Sequence, residues 1–71
     1  MQKWEYAILD VRLDRQSYWR PWKFAGLEIQ NWQNIVFSSY INQIGDQGWE
    51  LVGFSHSDPS AEYWVFKRPK P

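Results

Sequence analysis

The stretch Tyr18-Trp19-Arg20-Pro21-Trp22-Lys23-Phe24 carries more chemistry than the packing of a small domain requires. Rings interleave there with two cations. Such rings stack on bases while guanidinium and ammonium groups meet phosphates. The pattern points to a ligand that is both aromatic and anionic, such as a nucleotide. It makes Tyr18, Trp19, Arg20, Trp22, Lys23 and Phe24 the candidate ligand-binding set. The same composition suits a subunit interface, where Trp, Tyr and Arg are enriched. In that case the rings cover a sheet face and Arg20 and Lys23 stand at its edge.

Other constellations are weaker. His56 lies among Ser55, Ser57 and Asp58, but neighbours on a strand end point in different directions. Adjacency therefore does not build a line of nucleophile, base and orienting group. Glu50 and Glu62 fall on facing strands, close enough to pair across a hairpin, yet paired acids need a substrate cleft to cleave a glycoside. In Gly45-Asp46-Gln47-Gly48 the glycines follow a helix and precede a strand. A phosphate loop runs the other way, so that the helix N-terminus meets the anion. No catalytic residue emerges, and the chain is expected to be no enzyme.

The elements that must position these groups follow from patterning. Residues 3–13 read as a strand with Ala7, Leu9, Val11 and Leu13 on one face, and Trp4, Tyr6 and Ile8 make the other face apolar as well. Residues 14–30 form an arm, either a hairpin strand held to a sheet edge by Pro21 or a long irregular loop. Residues 31–45 read as a helix capped by Asn31, with Val36, Phe37, Tyr40, Ile41 and Ile44 in a stripe and Gly45 as the left-handed C-terminal glycine. Residues 49–55 and 61–68 read as two strands of an antiparallel hairpin, turned by Ser57-Asp58-Pro59-Ser60. The tail 69–71, Pro-Lys-Pro, is expected to fray. The fold class is α+β, a single domain over 1–71. It is a small two-layer sandwich with one helix on a three- to four-stranded, mainly antiparallel sheet.

Composition narrows the chemistry. The chain has 71 residues, no Cys and one His, so disulfides and thiolate metal sites are excluded and a zinc site is disfavoured. Chains this short bury a small fraction of their surface and commonly need a staple. A second copy of the chain is the staple left over. Six Trp, four Tyr and four Phe are more ring than one small core uses. Net charge is zero, which argues against nucleic acid as the partner, although residues 15–23 hold three cations and no anion. Charges at Glu5, Asp10, Arg12 and Asp14 stand where a signal peptide would be apolar, and no run approaches the roughly 20 apolar residues of a membrane span. A cytoplasmic location without membrane attachment is the expectation, with no cofactor and no metal.

Three blocks carry a family pattern. They are Trp4-Glu5-Tyr6, then Tyr40-Ile41-Asn42-Gln43-Ile44-Gly45 with Gly48-Trp49-Glu50-Leu51-Val52, then Phe66-Lys67-Arg68-Pro69. Together they resemble the prokaryotic domain-of-unknown-function family 4177. The resemblance spans the first strand and everything from about residue 36 onward. It implies a small α+β sandwich, commonly a stand-alone protein, and brings no catalytic residue or cofactor.

One helix covers only one sheet face. Strict alternation puts Val52, Phe54, Trp64 and Phe66 opposite Leu51, Tyr63 and Val65, so both faces are apolar. A large exposed apolar patch marks an interface. Trp4, Tyr6, Val52, Phe54, Trp64 and Phe66 are the candidate interface residues of a homo-oligomer. Two readings stay open: an oligomeric binding module holding an anionic aromatic ligand in the arm and an inter-subunit groove, or an interaction module whose aromatics serve association alone.

Overall fold

The computed structural model describes residues 1–71. Strands β1 (Trp4–Leu13), β2 (Trp19–Phe24) and β3 (Leu27–Glu28) come first. A 3-10 turn (Trp32–Asn34) and helix α1 (Phe37–Asp46) follow, then β4 (Glu50–Asp58) and β5 (Ala61–Pro69). The five strands form one sheet of order β3-β2-β1-β5-β4, antiparallel throughout, so the fold is α+β as expected with one strand more.

The additional strand comes from the turn before it. Ala25 (φ 53°) and Gly26 (φ 83°) both adopt positive φ, as the central residues of a type I′ hairpin do, and the chain returns with Leu27 opposite Phe24. The arm is thus a hairpin strand rather than an irregular loop. It pairs with β1 on one side and β3 on the other. Pro21 lies opposite Val11, where the register shifts between Asp10 and Val11, so the residue without an N–H falls at a bulge. Asp14 builds the preceding turn: its Oδ1 accepts the N–H groups of Gln16 (2.8 Å) and Tyr18 (2.9 Å).

Both ends of the helix differ from expectation. Asn31 sits in the left-handed region (φ 58°) with no side-chain cap bond and leads only the 3-10 turn. Ile35 and Val36 are extended, and α1 begins at Phe37. A helix running through 31–45 would need the Ile35 carbonyl for the N–H of residue 39. Arg20 takes that carbonyl instead, with its Nη1 donating at 2.9 Å. At the other end Gly45 is helical and Gly48 is the left-handed residue (φ 94°). Trp49 N–H donates to Ile44 O (3.2 Å) and Gly48 N–H to Gly45 O (3.0 Å), the two bonds of a Schellman motif.

The core lies between α1 and one face of the central strands. Leu9, Val11, Ile44 and Phe66 are buried at its centre, with Trp19, Phe24, Ile29, Phe37, Tyr40, Ile41, Trp49 and Trp64 packed around them. The β4–β5 hairpin closes through Pro59-Ser60, and Asp58 Oδ1 accepts from the N–H (2.7 Å) and hydroxyl (2.8 Å) of Ser60. The C-terminal tail is tied rather than frayed at its start. Pro69 ends β5, and Lys70 N–H donates to Lys3 O at 2.9 Å. No helix is long and apolar enough to cross a membrane.

Candidate functional site: the uncovered sheet face

Register assigns the side chains. Ala7, Leu9 and Val11 face the helix, and their antiparallel partners Phe66, Trp64 and Glu62 face the same way. The alternate residues of β1 therefore form the far face, where Tyr6 pairs with Lys67, Ile8 with Val65 and Asp10 with Tyr63. No element of the chain covers this face. Ile8 is 48% exposed in the middle of a central strand, Tyr6 63% and Tyr63 43%. Trp4 adds its ring at one end, with Lys67 Nζ 4.3 Å from the ring centroid.

Strict alternation failed in β4. The register with β5 shifts between Leu51 and Gly53, so Leu51 joins Phe66 on the helix side and Gly53 stands opposite Val65 on the open side. Val52 is the extra residue of that bulge and is exposed. Phe54, opposite Trp64, is on the helix side but lies beyond the reach of α1. It stacks on Trp64 with ring centroids 5.1 Å apart.

The predicted interface set therefore divides. Trp4 and Tyr6 belong to the open face. Val52 and Phe54 are exposed on the edge strand β4. Trp64 is half-buried between Phe54 and Phe37. Phe66 is a correction: it is 2% exposed in the core, so its ring is spent on the fold and offers nothing to a partner. Ile8, Tyr63 and Val65 complete the open face, although the sequence pattern left them outside the interface set. The signal was present, since apolar residues at even positions of β1 demand a second cover.

The predicted ligand-binding set divides as well, because alternation along β2 sends its side chains to two faces. Phe24 packs on the helix side, its ring edge-on to Trp49 (5.6 Å), Tyr40 (6.3 Å) and Phe66 (6.5 Å). Trp22 belongs with the far face, where Arg12 Cζ lies 3.4 Å from one of its ring centroids and Lys23 Nζ 4.4 Å. Lys23 pairs in register with Asp10. Burial pushes the Asp10 carboxyl above its ordinary value, although Lys23 and Arg12 pull it down. Arg20 is engaged within the chain: Nε bonds Asp14 Oδ2 at 2.9 Å in addition to the Ile35 bond. The Asp14 carboxyl is held below its ordinary value, first by the Tyr18 N–H and then by Arg20. Tyr18, Trp19 and Arg20 do line one shallow depression of about 500 Å³ with Val36, Phe37 and Ser38 at the start of α1.

Glu50, Glu62 and His56 each have a cross-strand partner in the last hairpin. Glu50 stands opposite Lys67, and Glu62 opposite His56, so the two glutamates do not face each other across the hairpin. His56 Nδ1 lies 3.1 Å from Glu62 Oε2, and Glu62 Oε1 accepts from Trp64 Nε1 at 3.0 Å. The first contact ties β4 to β5, and the second lies within β5. Three or more metal-ligating side chains do not cluster anywhere in the chain.

No family model, curated protein or solved structure matches the chain. The resemblance to family 4177 rests on the three sequence blocks alone.

Proposed function

We propose that the chain is a non-enzymatic interaction module that works as a homodimer, two copies packing open sheet face to open sheet face. The carrying observation is Ile8, 48% exposed at the centre of a five-stranded sheet and cross-strand from Val65. The solvated face of an antiparallel sheet is ordinarily polar, so an exposed isoleucine paired with valine on a central strand marks that face for a partner. The molecule exposes 5203 Å², against roughly 4700 Å² for a compact monomer of its mass. Its radius of gyration is 12.5 Å, against about 11 Å for a compact chain of this length. Both excesses accompany an elongated shape, 45 × 22 × 18 Å, whose helix layer covers one face of the sheet and leaves the other open. A net charge of zero means that a second copy is not repelled. In this reading the chain acts in the cytoplasm, and the resemblance to family 4177 reflects a shared small sandwich.

Analytical ultracentrifugation tests it. A dimer that dissociates on dilution is expected, and a monomer at every concentration refutes it.

The second reading adds a small anionic aromatic ligand, such as a nucleotide. It is favoured by the depression in which Tyr18, Trp19 and Arg20 meet the first turn of α1. The Asp14–Arg20 pair weakens it, because the cation already has an anionic partner. Melting with mono-, di- and cyclic nucleotides decides: a ligand held at 100 times its Kd adds about 2.7 kcal/mol of stability. No shift with any of them removes this reading.

A further inference from the structure

Gly53 stands in the interior of β4 for no reason found inside the chain. Its φ is not positive; among the glycines only Gly26 and Gly48 have that conformation. A Cβ built at Gly53 would meet no atom within 4 Å. Glycine is disfavoured within strands, since it gains no packing and loses most on ordering. Where it occurs it marks a bulge, a bend or the close approach of something else. The bulge at Leu51/Gly53 does not need it, because the glycine form of a bulge uses positive φ.

The position supplies the missing reason. Ile8, Val65 and Gly53 are register partners across β1, β5 and β4, so they form one row over the open face. The row descends from a half-exposed isoleucine at one end to no side chain at the other. A sheet packs on a sheet by interdigitating inner-face side chains across about 10 Å, with strand directions within about 30°. When a second copy is laid on this face about a two-fold along β5, β1 of each copy crosses β4 of the other. The tall end of the row then meets the low end.

We infer that Gly53 is the seat for Ile8 of a second copy, making the pairing of the open faces specific in register. This rests on the homodimer reading above. The area reaches the lower bound for a specific interface, about 1,000 Å² in total. Three strands about 30 Å long and one about 20 Å long, spaced about 4.8 Å apart, present roughly 530 Å² per copy before side-chain relief. That compares with about 800 Å² per partner in a stable complex. Because the row is self-complementary, each dimer contains the Ile8–Gly53 contact twice.

The test uses the full chain and two substitutions. Gly53→Val fills the seat and is expected to weaken the dimer roughly tenfold or more, as overpacking of a fitted site does. Ile8→Ala is expected to weaken the dimer on its own but to cost far less beside Gly53→Val, since the seat it would fill is already blocked. Melting is measured in parallel at a dilution where the wild-type chain is monomeric, and Gly53→Val is expected to melt there no lower than wild type. A wild-type chain that never dimerises refutes the homodimer reading itself. A wild-type dimer with a Gly53→Val dimer of equal Kd overturns the seat and leaves the homodimer standing. A lower melting temperature in the dilute variant also overturns it, because the glycine would then serve the fold. Additive effects of the two substitutions overturn Ile8 as the occupant.

Discussion

Replacing Ile8 by Thr changes one exposed surface of the chain and almost nothing inside it. Both side chains are β-branched, so the strand preference of β1 is kept. In the isolated chain Ile8 is already 48% exposed, and the hydroxyl replaces an ethyl group beside water. Burying a whole isoleucine side chain contributes about 1.5–3 kcal/mol, so the half still exposed is worth about 0.7–1.5 kcal/mol per copy on association. Two copies give about 1.5–3 kcal/mol for the dimer, or roughly 10- to 150-fold in Kd. A hydroxyl trapped without a partner adds to this. Sedimentation equilibrium over a concentration series measures the dimer Kd, and a melt at the lowest concentration measures the chain alone. The expected result is a large rise in Kd with a melting temperature shifted by a degree or two. Equal dimer constants for the two proteins would refute the assignment of the open face as the interface. So would a large melting shift in dilute solution, which would mean that Ile8 is covered within the chain.

Phe66→Ala removes a core ring that is 2% exposed and should cost about 3–5 kcal/mol in urea denaturation. Phe54→Ala, at 58% exposure, should cost well under half of that. Acid unfolding should draw on Asp14 and Asp58, whose carboxyls lie below the ordinary 3.8 in the fold, chiefly because backbone N–H groups of Tyr18 and Ser60 bond them. Their contribution is complete above that value and is lost as pH falls through the lower folded values. Asp14→Asn and Asp58→Asn should therefore flatten the loss of stability below pH 4 in melts across pH. Asp10 carries the opposite sign. Its carboxyl is raised by burial, so its stabilising share exists below the ordinary value and disappears as pH rises through the folded one. Asp10→Asn should match or exceed wild-type stability at neutral pH.

The parts of the fold legible in the sequence are those fixed by local chemistry. The alternation of β1, the stripe of α1 and the Asp-Pro-Ser turn of the last hairpin each need only a few neighbouring residues. The departures trace to contacts that local patterning does not contain. Helix α1 starts six residues late: Ile35 and Val36 are extended, and Arg20, fifteen positions upstream of Ile35, bonds the Ile35 carbonyl. The bulge at Val52 inverts the faces of β4, and no composition rule placed it. Strand β3 depends on Ala25 accepting positive φ, a conformation usually left to Gly, Asn or Asp. Gly45 and Gly48 were both available as the helix stop, and the Schellman bonds chose the second. For the site, the sequence disclosed a second apolar face but assigned Phe66 to it. The arm read as one aromatic and basic surface because seven adjacent residues share a chemistry. Strand alternation then divided them, with Phe24 in the core and Trp22 beneath Arg12.

The mass of the particle in solution tests the central claim most directly. Sedimentation velocity at tens to hundreds of micromolar is expected to give a species of twice the 8.6 kDa chain, shifting toward the single chain on dilution. A species of 8.6 kDa throughout that range would contradict the account.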